Sequence, residues 1–312
     1  MSSERALVTG VLGCLGAWTA RALLDEEVEV VGFDLGDARH RLELVLGDDA
    51  GRVAVVQGDI TDRAAFERAL DEHEITRVVH LAALQVPFCR EDPVLGARVN
   101  VVGTMNVLEA VRSRLDRIPG VAYASSAAIY GPSDPSPAPE SGGLAPATHY
   151  GVFKLANEGS ARIAWAEGGV PSIGIRPYVV YGPGRDQGLT SGATLAIAAA
   201  VRGEALTIGY GGVAQYDYAR DVGFAFARAS AVVREGAAVA NFPGVVASLE
   251  EVVGAIEAAV PAARGSIGWD DVRLPFPAQL EARALEALLG PLPRTSLDDG
   301  VAETVAFFRR AG

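Results

Sequence analysis

Short apolar runs alternate along the first 180 residues with longer segments in which apolar side chains recur every three or four positions. The runs that predict buried strands cover residues 6–9, 28–33, 53–56, 78–82, 121–125 and 172–175. The segments between them predict helices, including one that ends near Leu24, one capped by Asp62 and one from about Pro93 to Arg112. Apolar strands that alternate with helices favour a parallel sheet covered on both faces, so we expect a doubly wound α/β fold.

The pattern changes after Pro177, where segments rich in glycine and proline interrupt shorter elements. We therefore predict a cofactor-binding domain over residues 1–178, to which residues 215–245 return with a helix and a strand. Residues 179–214 and 246–312 are predicted to form a smaller, mainly C-terminal substrate-binding lobe. The proline- and serine-rich segment 132–147 is interpreted as a mobile lid, with a passive surface loop as the alternative.

Composition narrows the classes of function. With 49% hydrophobic residues the chain can bury a large core, and its net charge of −12 disfavours nucleic acids and anionic membranes as partners. Cys14 and Cys89 lack zinc-ligand spacing, so we expect free thiols in a reducing compartment and no metal site. We find no secretion signal and no apolar run of membrane-spanning length, and we expect a cytoplasmic protein.

A glycine triplet, Gly10, Gly13 and Gly16, lies between the first predicted strand and the first predicted helix. In this context glycines permit a tight turn, a close approach of the backbone to a pyrophosphate, and close packing of the helix on the sheet. The amides at the helix N-terminus then face the anion. We expect a dinucleotide to bind here.

The ends of the following strands also predict contacts with a dinucleotide. Asp34 ends the second strand, where a carboxylate accepts hydrogen bonds from the ribose hydroxyls of NAD and repels the extra phosphate of NADP. Arg39 and Arg41 lie nearby and keep NADP open as an alternative. Asp59 and Ile60 are placed to reach the adenine, and the small residues 81–83 suit a closely packed cofactor.

Tyr150 and Lys154 are four residues apart and share one face of a predicted helix. A free tyrosine has a pKa of about 10. A neighbouring ammonium and a cationic nicotinamide both favour the phenolate, so Tyr150 is the candidate general base. Ser125 and Ser126 follow the fifth strand at the carboxyl edge of the sheet, where a hydroxyl can bind a substrate oxygen.

Taken together these residues resemble the extended short-chain dehydrogenase/reductase superfamily, in particular its NAD-dependent epimerase/dehydratase family. The resemblance extends over nearly the whole chain and includes residues 10–16, 34, 59–60, 80–83, 100–104, 125–131, 150–154, 176–177 and 181–184. It implies an NAD-binding Rossmann domain, a catalytic trio of Ser126, Tyr150 and Lys154, and a homodimer. The implied cofactor-binding residues are Gly10, Leu12, Gly13, Cys14, Leu15, Gly16, Asp34, Asp59, Ile60, Leu81, Ala82, Ala83, Asn100, Tyr150, Lys154, Pro177 and Tyr178.

The sequence departs from relatives that act on nucleotide sugars. These often carry an arginine before an Asp-Val pair to bind the diphosphate, but the matching position lies near Ala214, ahead of Asp221. Dehydratases of the family carry an acidic pair where this chain has Ala127 and Ala128, so water elimination is not expected. The substrate-binding candidates are Ser125, Ser126, Arg185, Thr190 and Ser191, of which the last three could hold a carboxylate or hydroxyls.

The leading hypothesis is therefore an enzyme that oxidises a secondary alcohol of a carbohydrate or sugar nucleotide with NAD. An epimerase would return the hydride to the other face of the ketone. The alternative is a net dehydrogenase of a small sugar or sugar acid, which would release the oxidised product. A non-catalytic dinucleotide sensor is disfavoured because the pair Tyr150 and Lys154 is present.

Overall fold

The computed structural model of the chain describes residues 4–311. Its strands are β1 (Arg5–Thr9), β2 (Glu29–Asp34), β3 (Ala54–Gln57), β4 (Arg77–His80), β5 (Val121–Ala124), β6 (Ser172–Arg176), β7 (Val179–Tyr181), β8 (Leu206–Ile208), β9 (Val213–Tyr218), β10 (Ala237–Asn241), β11 (Val245–Ser248) and β12 (Ile267–Trp269). Its α-helices are α1 (Cys14–Asp25), α2 (His40–Leu46), α3 (Arg63–Glu72), α4 (Val86–Glu91), α5 (Pro93–Ala97), α6 (Gly103–Arg112), α7 (His149–Gly168), α8 (Gly192–Arg202), α9 (Ala219–Val232), α10 (Leu249–Ala259), α11 (Ala284–Leu289) and α12 (Leu297–Ala311).

The large sheet has seven parallel strands in the order β10-β6-β5-β4-β1-β2-β3. Strand residues alternate between its two faces, which is why Val8 packs in one core with Trp18 and Phe226, while Leu7 packs in another with Phe66. Helices α1 and α9 cover the first face, and α3, α6 and α7 cover the second. The predicted doubly wound Rossmann fold is confirmed.

Most predicted elements occur near their expected bounds. Asp62 caps α3, since its side chain accepts a hydrogen bond from the Ala65 amide at 3.0 Å. The stretch predicted as one helix from Pro93 to Arg112 is continuous but contains a π-helical turn at Arg98–Val102. Strand β4 ends at His80, two residues earlier than predicted, and this leaves residues 81–83 outside the sheet at its carboxyl edge.

A third core is built around two small sheets, ordered β11-β9-β7 and β12-β8. Helix α9 and strand β10 return to the large sheet as expected for part of residues 215–245. Strand β9, by contrast, pairs with β7 and β11. The predicted division at residue 178 falls between β6 and β7, and the assignment of two domains stays a prediction.

The segment 132–147 contacts the C-terminal part of the chain at several points, and its interpretation as a mobile lid stays a prediction. The Ala138 amide donates to the Gln279 carbonyl at 2.9 Å, and the Ala138 side chain is fully buried. The carboxylate of Glu140 accepts from the Ala284 amide at 3.0 Å. These contacts tie the segment to the C-terminal part of the chain through backbone groups.

The stretch Pro93–Arg112 is long and apolar enough to cross a membrane by length and composition, although the sequence analysis expected no such segment. Its residues Val107, Leu108 and Val111 are buried in the core beneath the large sheet. Core helices of globular domains pass the same test, so this stretch gives only weak support for a membrane span.

Candidate active site

The glycine-rich turn after β1 forms a cradle that only glycine backbones can build. Gly10 has φ of +68°, and a Cβ there would lie 2.9 Å from the Ala82 nitrogen. A Cβ on Gly16 would lie 2.1 Å from the Gly10 carbonyl oxygen. Helix α1 begins directly after Gly13 without a side-chain cap, so its first amides remain available to bind an anion such as a pyrophosphate.

Asp34 is held at the end of β2 by the same turn. Its Oδ2 accepts from the Leu12 amide at 2.9 Å, and its Oδ1 accepts from the Gly36 amide at 3.3 Å. The carboxylate is partly exposed and lines the main cavity of the described chain. The two bonds fix its orientation and leave further lone pairs for hydroxyl donors.

A cavity of about 610 Å³ runs along the carboxyl edge of the large sheet. Its volume is within the usual range for ligand sites. It collects nearly all of the predicted site residues: Gly10, Leu12, Gly13, Cys14, Leu15, Gly16, Asp34, Asp59, Ile60, Leu81, Ala82, Ala83, Ser125, Ser126, Tyr150, Lys154, Pro177, Tyr178, Arg185 and Thr190. Residues that lie up to 180 positions apart in the sequence therefore share one cleft.

Two predicted residues do not line this cavity. Asn100 is buried in the π-helical turn, where its side chain accepts from the Leu84 amide at 2.7 Å and donates to the Leu84 carbonyl at 2.9 Å. Ser191 is buried at the start of α8 and donates to the Gly188 carbonyl at 2.9 Å. Each of the two side chains holds the backbone of a neighbouring segment in place, and neither is positioned to bind a ligand in the cavity directly.

Helix α7 presents Tyr150 and Lys154 to the cavity. Thr148 caps the helix by accepting from the Gly151 amide at 3.0 Å, which fixes the first turn that carries Tyr150. The Lys154 Nζ atom donates to the Ala124 carbonyl at 2.6 Å and lies 5.6 Å from the centre of the Tyr150 ring. Burial lowers the pKa of Lys154 to about 8, against the opposing influence of Cys89 and Glu158.

The electrostatics of Tyr150 differ from the sequence expectation. Burial raises its pKa above the usual value, while a hydrogen bond from Ser126 and the positive charge of Arg185 act to lower it. The Lys154 Nζ atom lies 5.6 Å from the centre of the Tyr150 ring, and its stabilisation of the phenolate stays a prediction. Arg185 is thus a further cation that favours ionisation of Tyr150, but burial outweighs it and the phenol is neutral near pH 7.

Ser126 and Ser125 have different surroundings. Ser126 begins the short 3-10 helix Ala127–Ile129, and its Oγ accepts from the Ala128 amide at 3.1 Å. The Ser125 hydroxyl donates to the buried carboxylate of Glu158. Ser125 lines the cavity, but its hydroxyl is engaged inside the protein.

Glu158 belongs to a buried ion pair that sequence analysis missed. Its carboxylate receives two hydrogen bonds from Arg176, from Nε at 2.8 Å and from Nη2 at 2.7 Å. Both side chains are buried, and Arg176 directly precedes Pro177 in the cavity wall. The position of Glu158, one turn after Lys154 on the same helix, was the available signal, since an acid there faces the sheet.

Arg185 lines the cavity from the loop after β7. Its Nη1 donates to Gln85 Oε1 at 3.1 Å and its Nη2 donates to Thr190 Oγ1 at 3.3 Å, so both acceptors are neutral. Its Nε atom is buried without a hydrogen-bond partner. Among the carboxylates of residues 4–311, none forms an ion pair with it. Gln85 was also missed by sequence analysis.

The histidines contribute less to the cavity. His80 is buried between Thr9 at 2.8 Å and Thr104 at 3.1 Å, as expected for a structural residue. Burial lowers its pKa to about 3, so it stays neutral. His149 is exposed, stacks on Phe153 and lines a separate surface cavity.

Comparison with known proteins places this site in a family. The model of the NAD dependent epimerase/dehydratase family matches residues 6–242. The chain belongs to that family. UDP-glucose 4-epimerase of Mycolicibacterium smegmatis is 30% identical over 98% of both chains. D-erythronate dehydrogenase of Cupriavidus necator is 35% identical over 55% of this chain and 56% of its own.

Solved structures of the epimerase/dehydratase family agree with the fold. MoeE5 in complex with UDP-glucuronic acid and NAD has a TM-score of 0.82 and 27% identity, and the match covers 99% of this chain and 100% of that one. The chain is thus an NAD-dependent oxidoreductase related to enzymes of sugar metabolism. Membership confirms the resemblance stated from the sequence motifs.

The residues present fit NAD. The cradle of Gly10 and Gly16 excludes side chains where a pyrophosphate must approach, and the free amides of α1 and the carboxylate of Asp34 supply the polar partners. Arg39 is turned away, since it donates to the Ala50 carbonyl at 2.8 Å and the Val53 carbonyl at 3.2 Å. When bound, NAD supplies the hydride acceptor.

Proposed function

We propose that this chain is an NAD-dependent dehydrogenase of a small sugar acid, whose carboxylate pairs with Arg185. The observation that carries the proposal is the guanidinium of Arg185, which faces the cavity with a buried, unpartnered Nε and no carboxylate partner within residues 4–311. A cation that is partly shielded from water and has no counter-ion raises the free energy of the protein. A carboxylate on the substrate would remove that cost through charge-assisted hydrogen bonds.

The extent of the cavity supports a small substrate. Thr190 and Phe276 both line the cavity, but none of the residues between them in the sequence of the described chain does. Strands β8 and β12 pair with each other in that interval. Ala214, where the diphosphate-binding arginine was sought, is a buried alanine. These features give a nucleoside diphosphate neither a cation at that position nor a lined extension of the cavity.

The proposed chemistry uses the predicted trio. Tyr150 must first release its phenolic proton to solvent, and its phenolate then takes the proton of the substrate hydroxyl. The hydride from the same carbon passes to bound NAD, so that the alcohol becomes a ketone. The Ser126 hydroxyl, whose single hydrogen is directed to Tyr150 before the substrate binds, would turn to donate to the reacting oxygen once the substrate is in place. Lys154, fixed by the Ala124 carbonyl, holds positive charge beside the site. Because the hydrogen bond from Ser126 and the charge of Arg185 lower the pKa of Tyr150, both assist the transfer of its proton.

A screen for NADH formation tests the proposal. Aldonates and uronates are compared with the matching neutral sugars and with UDP-glucose, and we expect sustained NADH absorbance with an acid alone. Arg185→Met should raise KM for the acid about 10- to 100-fold, the range of hydrogen bonds to a charged group. Arg202→Met, which alters an exposed pair with Glu204, is the matched control and should leave KM unchanged.

The second candidate is a UDP-sugar 4-epimerase, which the full-length match to the Mycolicibacterium smegmatis enzyme supports. It predicts interconversion of UDP-glucose and UDP-galactose without accumulation of NADH. Turnover of UDP-glucose that exceeds turnover of every sugar acid would overturn the first proposal in favour of this one.

We further propose a homodimer in the cytoplasm. Exposed apolar side chains occur on the stretch 93–112 and on α7, namely Val94, Val102, Met105, Val152 and Ile163. Their clustering on two neighbouring helices supports an apolar interface between copies. Free thiols at Cys14 and Cys89 support a reducing compartment. Light scattering of the purified protein tests the dimer, and a monomeric mass would refute it.

A further inference from the structure

A cation lines the cavity together with Asp34, namely Arg41 on α2. Arg41 lines the cavity, and its Nη1 donates to the Leu12 carbonyl at 3.5 Å. The amide of the same Leu12 donates to Asp34. Arg41 and Asp34 therefore both contact the backbone of Leu12 in the glycine-rich turn, Arg41 at the carbonyl and Asp34 at the amide. An arginine in this region is the residue type with which dinucleotide-binding folds accommodate the extra phosphate of NADP.

Arg41 is occupied by a carboxylate from the far side of the cavity. Its Nε donates to Asp186 Oδ1 at 2.9 Å, and its Nη2 lies 2.8 Å from the same oxygen. His40 Nε2 is also near, 3.6 Å from Asp186 Oδ2. Asp186 belongs to the loop after β7, about 145 residues further along the chain, so the contact joins the two sides of the cleft.

We propose that Asp186 is a specificity-determining residue for the cofactor: by pairing with Arg41, it neutralises the cation in the cavity wall that would otherwise bind the extra phosphate of NADP. Asp34 repels that phosphate directly, whereas Asp186 acts through Arg41. Arg39 is already bound to two backbone carbonyls, so Arg41 is the candidate arginine for binding the phosphate. The pairing of Arg41 with Asp186 determines whether it can do so. The proposal concerns the cofactor alone and does not depend on the class of substrate.

Calorimetric binding of NAD and NADP to the protein without substrate tests the proposal. In Asp186→Asn, Arg41 keeps its charge but loses its partner. We expect the ratio of the NADP to the NAD dissociation constant to fall about tenfold, as for one gained charge-assisted contact. The dissociation constant of NAD should change less than about threefold, since Asp34 and the glycine cradle remain.

Two further variants separate a local effect from a change in net charge. Asp49→Asn removes the same charge from a pair with Arg21 that lies outside the cavity, and its ratio should equal that of the wild type. In Asp186→Asn combined with Arg41→Gln, the gain should vanish. An unchanged ratio in Asp186→Asn, or a gain that persists without Arg41, would overturn the proposal. The proposal of a sugar-acid substrate is tested independently, by the screen for NADH formation.

Discussion

Removing one partner of the buried ion pair between Glu158 and Arg176 should destabilise the protein more than any exposed pair does. Glu158→Gln keeps the size of the side chain but leaves the guanidinium of Arg176 without a counter-ion. The side chains are 8% and 4% exposed, so water cannot replace the lost carboxylate. Ser125 would also lose the charged acceptor of its hydroxyl.

The magnitude follows from burial. Breaking a buried pair by removing one partner costs about 3–5 kcal/mol because an uncompensated charge remains inside. With an unfolding entropy of about 2.1 cal/mol/K per residue, this loss lowers the melting temperature of the 312-residue chain by roughly 5–8 °C. An exposed pair contributes about 0–1 kcal/mol, or less than about 2 °C here.

Thermal unfolding followed by circular dichroism measures the difference. Glu204→Gln is the matched control, since Glu204 pairs with Arg202 where both side chains are 56% exposed. A double variant, Glu158→Gln with Arg176→Met, should recover part of the loss because no unpaired guanidinium remains. Equal melting temperatures for Glu158→Gln and Glu204→Gln would refute the argument from burial.

Two other predictions concern the site. Tyr150→Phe should reduce kcat about 10²–10⁴-fold, the usual contribution of a general base, with little change in NAD affinity; retained turnover would exclude Tyr150 as the base. Asp217 is fully buried, and burial raises its pKa from 3.8 to about 8. The folded state therefore holds a proton that the unfolded state has released, and stability falls as pH rises from about 4 to about 8. Between pH 5 and pH 8 the melting temperature of Asp217→Asn should therefore fall less than that of the wild type. An equal fall in both proteins would contradict this sign.

The fold could be predicted because its signals are local. Apolar runs, Asp62 as a cap and the glycine triplet each identify an element within a few residues. The π-helical turn around Asn100 could not be predicted, since no local pattern marks it and the hydrogen bonds of the Asn100 side chain to Leu84 form only in the folded chain. The pairing of β9 with β7 also depends on tertiary packing and not on its own sequence pattern.

The candidate site was predictable on the cofactor side, where motifs identify residues at strand ends. Its substrate side was less so. Gln85 and Phe276 enter the cavity from segments without a motif, about 100 and 90 residues from Arg185 respectively. Arg185, which lowers the pKa of Tyr150, comes from a distant loop, and no pattern near Tyr150 in the sequence indicates it.

The hydrogen bond from the Trp18 indole to the Pro183 carbonyl, 2.9 Å long, has an optical consequence. Trp18 is almost fully buried in helix α1, and the carbonyl begins the loop that supplies Gly184, Arg185 and Asp186 to the cleft. If that loop shifts when a ligand enters, the indole loses its acceptor and its emission changes. In a variant in which Trp165 and Trp269 are replaced by Phe, the emission of Trp18 would therefore report a shift of that loop without any added label.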